Sequence, residues 1–445
     1  MGITGEERRG KAPEVSQKEI VYASTVAFLS WSFSIFNFFL FGNLLPVLAP
    51  VFGWTTTDSG VILTVISFGT FLTSLSVGPM ADYLGRRTAL ALTVIGGALS
   101  SGLMAAAGLL SGSLLKAYVV VVRSLSGYGT SVQAVNTTYL NEMYGPERRG
   151  FLYSFVQGGF PIGSLLAAAF PLILLPIVGW QNLFLIAAFP ILFILAARAW
   201  LPESPRFIHL KEIKRAQREG DVARVADLAS RFEVNTTMAK QFTYRQLFEH
   251  DLRWHTISLM VAFALQWFPT AIFLILATTV LTVGKGVSFT TSLQWLIISN
   301  VLVYVGYLIL GYLGDRVPRR DLVIAAWLIA GFGFLAVLFL NGATSVLSAY
   351  TIAYFFQTGA FAPLFSYMGE SFPTRARGTG TALVTAMGPI GALIAFAIFS
   401  ALTAMNVEIV TTSLYVGGIP AVLSPHALFG AKRIAPRKEL EKISV

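Results

Sequence analysis

The sequence predicts an all-α integral membrane protein with twelve transmembrane helices in two pseudo-symmetric six-helix bundles. Three observations lead to this fold class: an apolar composition, charge-free stretches long enough to cross a bilayer, and motifs that recur in both halves. Of the 445 residues, 55% are hydrophobic and 12% are charged, and the mean hydropathy is +0.69. An ordinary soluble domain carries about 25% charged residues, so this chain has too little charge to cover a water-facing surface of its size.

Six crossings are predicted in the first half from the spacing of charged residues. A spanning helix needs about 20 apolar residues, because the hydrocarbon layer is roughly 30 Å thick and a helix rises about 1.5 Å per residue. The intervals that reach this length lie between Glu19 and Asp58, between Asp58 and Asp82, between Arg87 and Lys116, over 117–141 with Arg123 inside, and over 151–197. The last interval has twice the needed length, and we expect it to break near Pro176 and Gly179, which suit a turn.

The second half repeats the count. Its intervals are 254–284, 286–314, a double-length interval 322–369 broken near Asn341 and Gly342, 379–407 and 409–431. These limits divide the chain into an amino-terminal tail (1–19), a first bundle (20–201), a linker (202–253), a second bundle (254–431) and a carboxyl-terminal tail (432–445). The linker is too charged to cross the membrane, and its pattern predicts short amphipathic helices over 206–218 and 221–232.

The positions of lysine and arginine predict the orientation. All 32 except Lys116, Arg123 and Lys285 fall on one side of the predicted bundle, in the tails, the linker and the short loops. Cytoplasmic loops carry an excess of these residues, so we expect both termini and the linker to be cytoplasmic, in a multi-pass protein of the cell membrane. The same distribution explains the net charge of +10 without a basic face for nucleic acid. The amino-terminal tail has no apolar core with a cleavage site, so no signal peptide is expected.

The composition also excludes several kinds of chemistry. The chain has no cysteine and four histidines, which excludes disulfides, thiolate zinc sites and cysteine nucleophiles and leaves little for metal binding. It has no Gly-x-x-x-x-Gly-Lys-Ser/Thr loop, so we expect neither a nucleotide partner nor ATP-driven pumping. We therefore expect no cofactor, with a proton gradient as a candidate energy source.

Two loop motifs recur in both halves with the same spacing. The first is GPMADYLGRR after the second helix, matched by GYLGDRVPRR after the eighth; it places Gly78, Asp82, Arg86 and Arg87 opposite Gly311, Asp315, Arg319 and Arg320. The second is NEMYGPERRG after the fourth helix, matched by GESFPTRARG after the tenth; it places Glu142 and Arg149 opposite Glu370 and Arg377. Duplication of a six-helix unit explains both matches.

With these loops, two further motifs resemble the major facilitator superfamily over essentially the whole chain. They are the Arg-x-x-x-Gly-x-Gly pattern at Arg123, Gly127 and Gly129 and the Pro-Glu-Ser-Pro-Arg run at 202–206. The run and the Glu-x-x-Pro-type loops resemble most closely the sugar-porter and metabolite:proton-symporter branches. The resemblance implies two bundles that rock around a central site, with a cavity lined by the first, fourth, fifth, seventh and tenth helices.

The repeated charged residues are candidates for a cytoplasmic gate. We expect inter-helix ion pairs among them that hold the cytoplasmic side shut in an outward-open state and that break when the halves rock apart. The set is Asp82, Arg86, Arg87, Glu142, Arg149, Asp315, Arg319, Arg320, Glu370 and Arg377. The alternative is that the arginines only anchor the topology, and we prefer it for Arg148 and Arg316, which lack a repeat partner.

Arg123 is the one ionisable residue predicted deep in the membrane. It lies roughly 12 Å below the start of the fourth helix by helical rise. Burying arginine there costs about 2.5–3.5 kcal/mol on insertion scales, so we expect it to face an aqueous cavity, where it binds an anionic group of the substrate or controls proton coupling. The alternative is a structural pair with backbone carbonyls or a distant acid.

Uncharged polar residues complete the candidate substrate site. With Arg123, the set is Asn37, Gln133, Gln157, Gln266, Asn300 and Gln357. Each amide could instead form a hydrogen bond between helices. Gln157, Gln266 and Gln357 are of most interest because the resemblance places their helices at the cavity.

One departure from the resembled family concerns energy coupling. Many metabolite:proton symporters carry acidic residues in the first helix, where this chain reads Ser34-Ile35-Phe36-Asn37. No aspartate or glutamate lies at mid-depth in any predicted helix, since Asp58 and Glu408 are near the outer ends. Asp82, Glu142 or Glu408 could carry the proton from the periphery, and facilitated diffusion or exchange stays open.

The sequence thus predicts a secondary transporter, not an enzyme, that moves a small polar metabolite such as a sugar, a sugar acid or another organic acid by alternating access. Proton-coupled symport is the leading mode, and its partners are a small-molecule solute and the lipid bilayer, with the protein as a monomer. The alternatives are a uniporter or exchanger, a drug-type exporter of the same fold, and a non-transporting membrane sensor. A membrane-embedded enzyme would need clustered acids or histidines at depth, which the sequence lacks.

Overall fold

A computed structural model of the chain describes residues 16–143, 155–219, 221, 224, 247–372 and 377–434. Regular structure in these ranges is helical, and they contain no strand. We number the helices that cross the bundle α1 to α12 in chain order, and several of them consist of two or more helical pieces. Because the apolar stretches are long and nearly free of charge, the chain forms a bundle of long helices joined by short turns.

The first half holds six of these helices. They are α1 (Gln17–Phe52), α2 (Thr56–Leu75 with Val77–Leu84), α3 (Arg86–Gly102 with the 3-10 turn Leu103–Leu109), α4 (Gly112–Ser124 with Ser126–Met143), α5 (159–178) and α6 (180–198). The helix Gly159–Ile186 is continuous except at Gly179, whose φ of 74° is not helical, and this break separates α5 from α6 where the sequence predicts it. The linker helix, Pro205–Glu219, follows α6.

The second half holds the other six. They are α7 (Arg253–Pro269 with Thr270–Ile275, Ala277–Thr279 and Val280–Gly284), α8 (Phe289–Gly314), α9 (Arg319–Phe339), α10 (Ala343–Gly359 with Phe361–Ser371), α11 (Arg377–Ala404) and α12 (Ile409–Ser413 with Leu414–Gly418, Ile419–Ala427 and Leu428–Gly430). Gly342 has a φ of 83° and directly precedes α10, so the second predicted break is also present. The pieces Thr270–Ile275 and Leu414–Gly418 are π-helical.

Twelve crossings are consistent with the lengths of the described helices. The described residues contain eight helical stretches that are long and apolar enough to span a membrane. One of the eight, Phe155–Arg198, contains the break at Gly179 and so crosses twice. The other three crossings are α4, α10 and α12, which are divided at Leu125, at Ala360 and by the π-helical piece 414–418.

Helix ends on the amino-terminal side are fixed by local capping. Ser16 and Glu19 form a capping box at the start of α1, and Thr55 and Asp58 form another at the start of α2. Each satisfies backbone N–H groups that have no partner within the helix. Gly53 ends α1 in the left-handed conformation, with a φ of 66°, which glycine adopts without steric cost.

The two halves pack against each other with the symmetry expected of a duplication. α1 packs on α5 within the first half, and α7 packs on α11 within the second. Between the halves, α1 contacts α7, α2 contacts α11, and α5 contacts α8. Exchanging the halves maps this set of contacts onto itself, so the interface is an approximate two-fold arrangement.

We call the end of the bundle that carries the α2–α3 and α8–α9 connections and the linker helix the basic face, and the other end the opposite face. The described parts of the repeated loop motifs lie at the basic face, because every second connection between crossing helices returns to the same side. The candidate polar residues Asn37, Arg123, Gln266, Asn300 and Gln357 lie between the two faces, inside the bundle.

Candidate functional site

Arg123 lies in the interior of the first half, between α1, α3 and α4. It is 2% exposed. One terminal nitrogen donates to the carbonyl oxygens of Asn37 at 3.1 Å and Phe38 at 3.4 Å, and the other donates to Oγ of Ser101 at 3.4 Å. The guanidinium carbon lies 5.1 Å from the centre of the Phe41 ring. Nε has no hydrogen-bond partner, and in the part of the chain that the structure describes no acidic side chain pairs with Arg123.

These contacts give Arg123 carbonyl dipoles but no counter-ion. They match the structural alternative for this residue, with backbone carbonyls as partners, and they leave the charge uncompensated. A guanidinium in low-dielectric surroundings forms strong, often two-pronged, hydrogen bonds with carboxylates. Arg123 is therefore a buried cation with no acidic partner among the described residues.

One face of α1 supplies further polar atoms beside Arg123. Ser30, Ser34 and Asn37 follow at helical spacing, and all three are buried. The hydroxyls of the two serines and Oδ1 of Asn37 have no hydrogen-bond partner. Asn136 on α4 donates to the carbonyl of Ala27 at 2.9 Å, and its Oδ1 also lacks a partner. The interior of the first half thus holds a strip of acceptors and hydroxyls that leads toward Arg123.

Gln133 on α4 meets Gln157, which lies in the helical turn 155–157 just before α5. Nε2 of Gln133 donates to Oε1 of Gln157 at 3.4 Å. Gln157 is buried and Gln133 is half-buried. The pair connects two helices of the first half, in the way that the alternative interpretation of these amides describes.

Gln266 and Gln357 belong to a buried network inside the second half. Nε2 of Gln266 donates to Oε1 of Gln357 at 2.5 Å, and the hydroxyl of Ser424 donates to Oε1 of Gln266 at 2.5 Å. Trp327 donates through Nε1 to the carbonyl of Gln357 at 3.2 Å, and Thr270 lies 3.5 Å from Nε2 of the same glutamine. Both glutamines are 0% exposed. In this conformation they join α7, α9, α10 and α12 to one another.

Asn300 takes part in a hydrogen-bonded chain that crosses between the halves. The hydroxyl of Tyr354 donates to Oδ1 of Asn300 at 2.9 Å and lies 3.1 Å from Oγ of Ser164. Ser164 is on α5, whereas Asn300 and Tyr354 are on α8 and α10. All three are buried, so this chain is a specific polar contact between the two bundles near the middle of the membrane.

Toward the opposite face the halves are in close contact. A Cβ at Gly42 of α1 would overlap the carbonyl oxygen of Ile275 in α7. Thr278 donates from its hydroxyl to the carbonyl of Gly42 at 3.3 Å. A Cβ at Gly60 of α2 would overlap the hydroxyl of Ser400 in α11. These contacts close the bundle at the opposite face.

At the basic face of the first half, Arg86 and Glu142 form a two-pronged ion pair. Both hydrogen bonds are 3.1 Å long, and each side chain is 8% exposed. Arg86 also donates to the carbonyl of Ala81 at 3.0 Å and lies over the ring of Phe207. Glu142 accepts a further hydrogen bond from the hydroxyl of Ser204. The pair thus ties α3 to α4 and to the start of the linker helix.

The segment before the linker helix caps α3 from outside. Oε1 of Glu203 accepts the backbone N–H groups of Arg86 at 2.9 Å and Arg87 at 3.1 Å. The hydroxyl of Tyr139 donates to the carbonyl of Pro202 at 2.7 Å. A carboxylate at a helix N-terminus satisfies backbone donors and complements the helix dipole.

The second half has the equivalent ion pairs in a more exposed form. Arg319 donates to Glu370 and, at 2.7 Å, to Asp315. The side chains of Arg319 and Glu370 are 20% and 33% exposed. Arg320 pairs with Asp321 at 3.0 Å, an acid outside the set of repeated residues.

These pairs differ from the predicted gate in one respect. Each described pair of the set lies within one half, so it fastens helices of one bundle together, and rocking the bundles as rigid bodies would leave it intact. Arg87 has no acidic partner among the described residues. Arg149 and the side chains of Asp82 and Arg377 lie outside the described residues. A role for the whole set as a gate stays a prediction.

Several residues of these networks were not singled out from the sequence. Ser164 and Tyr354 carry no motif, and only the fold shows that they meet. Glu203 and Ser204 lie in the Pro-Glu-Ser-Pro-Arg run, so the motif pointed to the segment without its partners. Asp321 follows the repeated arginines directly, and comparing the two loops one residue further would have found it.

The groups inside the bundle suit recognition of a polar solute rather than bond making. The interior groups named above, all in the described ranges, are amides, hydroxyls, the indole of Trp327 and the guanidinium of Arg123. Across the described ranges, no group of three or more histidine, cysteine, aspartate or glutamate side chains is placed to hold a metal ion.

Comparisons with known proteins agree with this architecture. A family model described as Major Facilitator Superfamily matches residues 27–396 and 293–440. The niacin/nicotinamide transporter NiaP of Bacillus subtilis, whose assignment is itself putative, is 24% identical over 90% of this chain and 92% of its own length. The gallate transporter of Pseudomonas putida is 26% identical over 83% and 82%. The inward-open structure of the xylose transporter XylE from E. coli superposes with a TM-score of 0.71 at 17% identity, covering 95% of this chain and 99% of that one.

Proposed function

The chain belongs to the major facilitator superfamily and is a membrane transporter of that superfamily, and from this premise we propose that it carries a small organic acid across the cell membrane by alternating access. The first substrates to test are aromatic monocarboxylates. In this proposal the basic face is cytoplasmic, as the positive-inside rule predicts, and the working unit is the monomer.

The observation that carries the proposal is the uncompensated charge of Arg123. A buried guanidinium with carbonyl partners and no described acid gains most from an anionic ligand. The names of two relatives fit the same chemistry, since niacin and gallate both bear a carboxylate on an aromatic ring. The Phe41 ring beside the guanidinium and the polar strip of α1 offer apolar and polar contacts for such a solute.

The direct test is uptake by the purified protein in proteoliposomes. We expect saturable uptake of radiolabelled nicotinate or benzoate, competition among aromatic monocarboxylates, and little uptake of neutral xylose. A hydrogen bond to a charged group contributes about 1.5–3 kcal/mol, so Arg123→Met should lower uptake about 10–150-fold, and Arg123→Lys less. Arg316→Gln, an exposed arginine at the basic face, is the matched control. The proposal would be refuted if the protein took up xylose equally well with and without Arg123→Met and took up no carboxylate.

Proton symport is the coupling mode that we propose. Two described acids at the basic face, Glu142 and Glu370, are each paired with an arginine, so a proton taken up there would break the ion pair with Arg86 or with Arg319. Uptake driven by an imposed pH gradient and abolished by a protonophore is the expected result. Uptake that is equal with and without the gradient would instead indicate a uniporter or an exchanger.

A further inference from the structure

Two arginines come together where α3 begins and α6 ends. Arg87 is the second residue of α3, and Arg198 is the last residue of the helical piece Pro190–Arg198 in α6. With Leu195 and Ala199 they line an open recess of about 400 Å³ at the basic face. The recess lies on the outside of the bundle, away from the interior groups described above.

Among the described residues, no acid forms an ion pair with either arginine of this recess. Arg198 donates to the hydroxyl of Thr88 at 3.3 Å, and Arg87 donates to the carbonyl of Leu201 at 3.4 Å. The Nε atoms of both arginines are buried and have no hydrogen-bond partner. Among the described residues neither side chain forms an ion pair, and the nearby carboxylate of Glu203 is engaged by backbone N–H groups at the start of α3.

The second half has a carboxylate at the position where the first half has a hydroxyl. Arg320 occupies the repeat position of Arg87, and the next residue is Asp321, which pairs with Arg320 at 3.0 Å and with Arg433 at 2.7 Å. In the first half the next residue is Thr88. The same structural position therefore holds two arginines paired with a carboxylate in one half. In the other half, one arginine donates to a hydroxyl and the second donates to a backbone carbonyl.

The surroundings of the recess are those of the membrane interface. Leu192 and Leu195 are 73% and 52% exposed on α6, and Trp200 directly after α6 is 74% exposed. Exposed leucines on a membrane helix contact acyl chains, and tryptophan is enriched at the level of the headgroups. The two arginines thus lie at the depth of the lipid phosphates, at the end of an acyl-chain surface.

We propose that Arg87 and Arg198 bind the phosphate of an anionic phospholipid, whose acyl chains lie along the leucine surface of α6. Arginine guanidinium groups match phosphate oxygens in two-pronged geometry. Basic clusters beside a membrane helix at this depth attract anionic headgroups. The lipid phosphate supplies the negative charge that Asp321 supplies in the second half. This site is separate from the proposed solute site, and the inference does not depend on the transported substrate.

The first test measures lipid binding to the purified full-length protein by native mass spectrometry. We expect tighter binding of phosphatidylglycerol than of phosphatidylcholine. At about 1 kcal/mol per basic residue, Arg87→Gln and Arg198→Gln should each weaken binding of phosphatidylglycerol roughly fivefold, and the double variant about 30-fold, whereas Arg316→Gln should leave it unchanged. Equal affinity for both lipids, or unchanged binding to the double variant, overturns the proposal. Displacement of the lipid by millimolar glycerol phosphate would show a site for free phosphate and would overturn the lipid assignment.

A second test adds to the first half the carboxylate that the second half already has. Thr88→Asp places a carboxylate at the third residue of α3, where Asp321 stands in α9 and where acids favour a helix N-terminus. We expect this variant to melt in neutral detergent near the temperature that the wild type reaches with phosphatidylglycerol, and to gain little from the lipid. Thr88→Asn is the neutral control and should keep the lipid response. A Thr88→Asp protein that responds to phosphatidylglycerol as the wild type does would refute the charge argument.

Discussion

The two ion pairs at the basic face have the same chemistry and different burial, which allows a quantitative prediction. In the pair Arg86–Glu142 both side chains are 8% exposed, with two hydrogen bonds of 3.1 Å. Removing one partner of a buried pair costs about 3–5 kcal/mol, because the other charge stays buried without compensation. Since Arg86 keeps its bond to Ala81, we expect Glu142→Gln to lower the free energy of unfolding by about 3 kcal/mol, the low end of that range.

Glu370→Gln is the matched control in the second half. Arg319 and Glu370 are 20% and 33% exposed, and Arg319 retains Asp315 at 2.7 Å. A partly solvated pair contributes about 0–1 kcal/mol, so this variant should lose about 1 kcal/mol or less. The two substitutions remove the same atoms from equivalent loops, and burial is the main difference between them.

Thermal unfolding in a fixed detergent provides the assay. With about 2–4 °C per kcal/mol for a unit of 150–250 residues, Glu142→Gln should lower the melting temperature by roughly 6–12 °C and Glu370→Gln by roughly 4 °C or less. The double variant Arg86→Met with Glu142→Met should recover part of the loss, because no charge is left buried. A larger shift for Glu370→Gln than for Glu142→Gln, or a double variant no more stable than the single one, would refute the reasoning.

Two further substitutions test the contact between the halves. The assay introduces one cysteine at the α2–α11 contact of the opposite face, since the chain has none of its own, and measures how fast that cysteine is labelled. Tyr354→Phe removes the 3.1 Å contact with Ser164. Because a net hydrogen bond contributes about 1 kcal/mol, the labelling rate should increase roughly fivefold. An unchanged labelling rate would mean that this hydrogen bond does not favour the closed state. Gly42→Ala places a methyl group against the carbonyl of Ile275, so α1 and α7 can no longer approach as closely at the opposite face. Solute uptake should therefore fall, and the labelling rate should rise. Gly284→Ala, whose nearest neighbour is a side-chain methyl group at 3.3 Å, should behave as the wild type, and equal behaviour of the two glycine variants would contradict the steric argument.

The sequence predicts well those features that depend on local chemistry and on the length of apolar stretches. The breaks at Gly179 and near Gly342 follow from residue type, since both positions adopt a positive φ. The fold class, with twelve crossings in two related bundles, follows from charge spacing and from the repeated loops, and the family match agrees with it. The partnership of Arg86 with Glu142 was also accessible, because both residues come from repeated motifs at the same face.

The partners of the interior residues could not be predicted in the same way. Gln266 and Gln357 are far apart in sequence, and their direct 2.5 Å contact depends on how α7 and α10 are rotated about their axes. The same holds for Ser164 and Tyr354, which lie in different halves. In a membrane helix, the spacing of apolar residues says little about how the helix is rotated about its axis, because lipid-facing and buried positions are both apolar. Depth in the membrane is therefore predictable from the sequence, but the facing partner is not.

The distribution of strong and weak contacts favours motion of the halves as rigid bodies. The buried charged pair Arg86–Glu142 acts within one half, where removing one partner would cost about 3 kcal/mol. The described polar contacts between the halves that are named above are neutral, among them the Ser164–Tyr354 hydrogen bond and the hydrogen bond of Thr278 to Gly42. Neutral hydrogen bonds contribute about 0.5–1.5 kcal/mol each. Each of these polar contacts between the halves is therefore weaker than the buried ion pair within the first bundle, which favours the proposed motion of the halves around a central site.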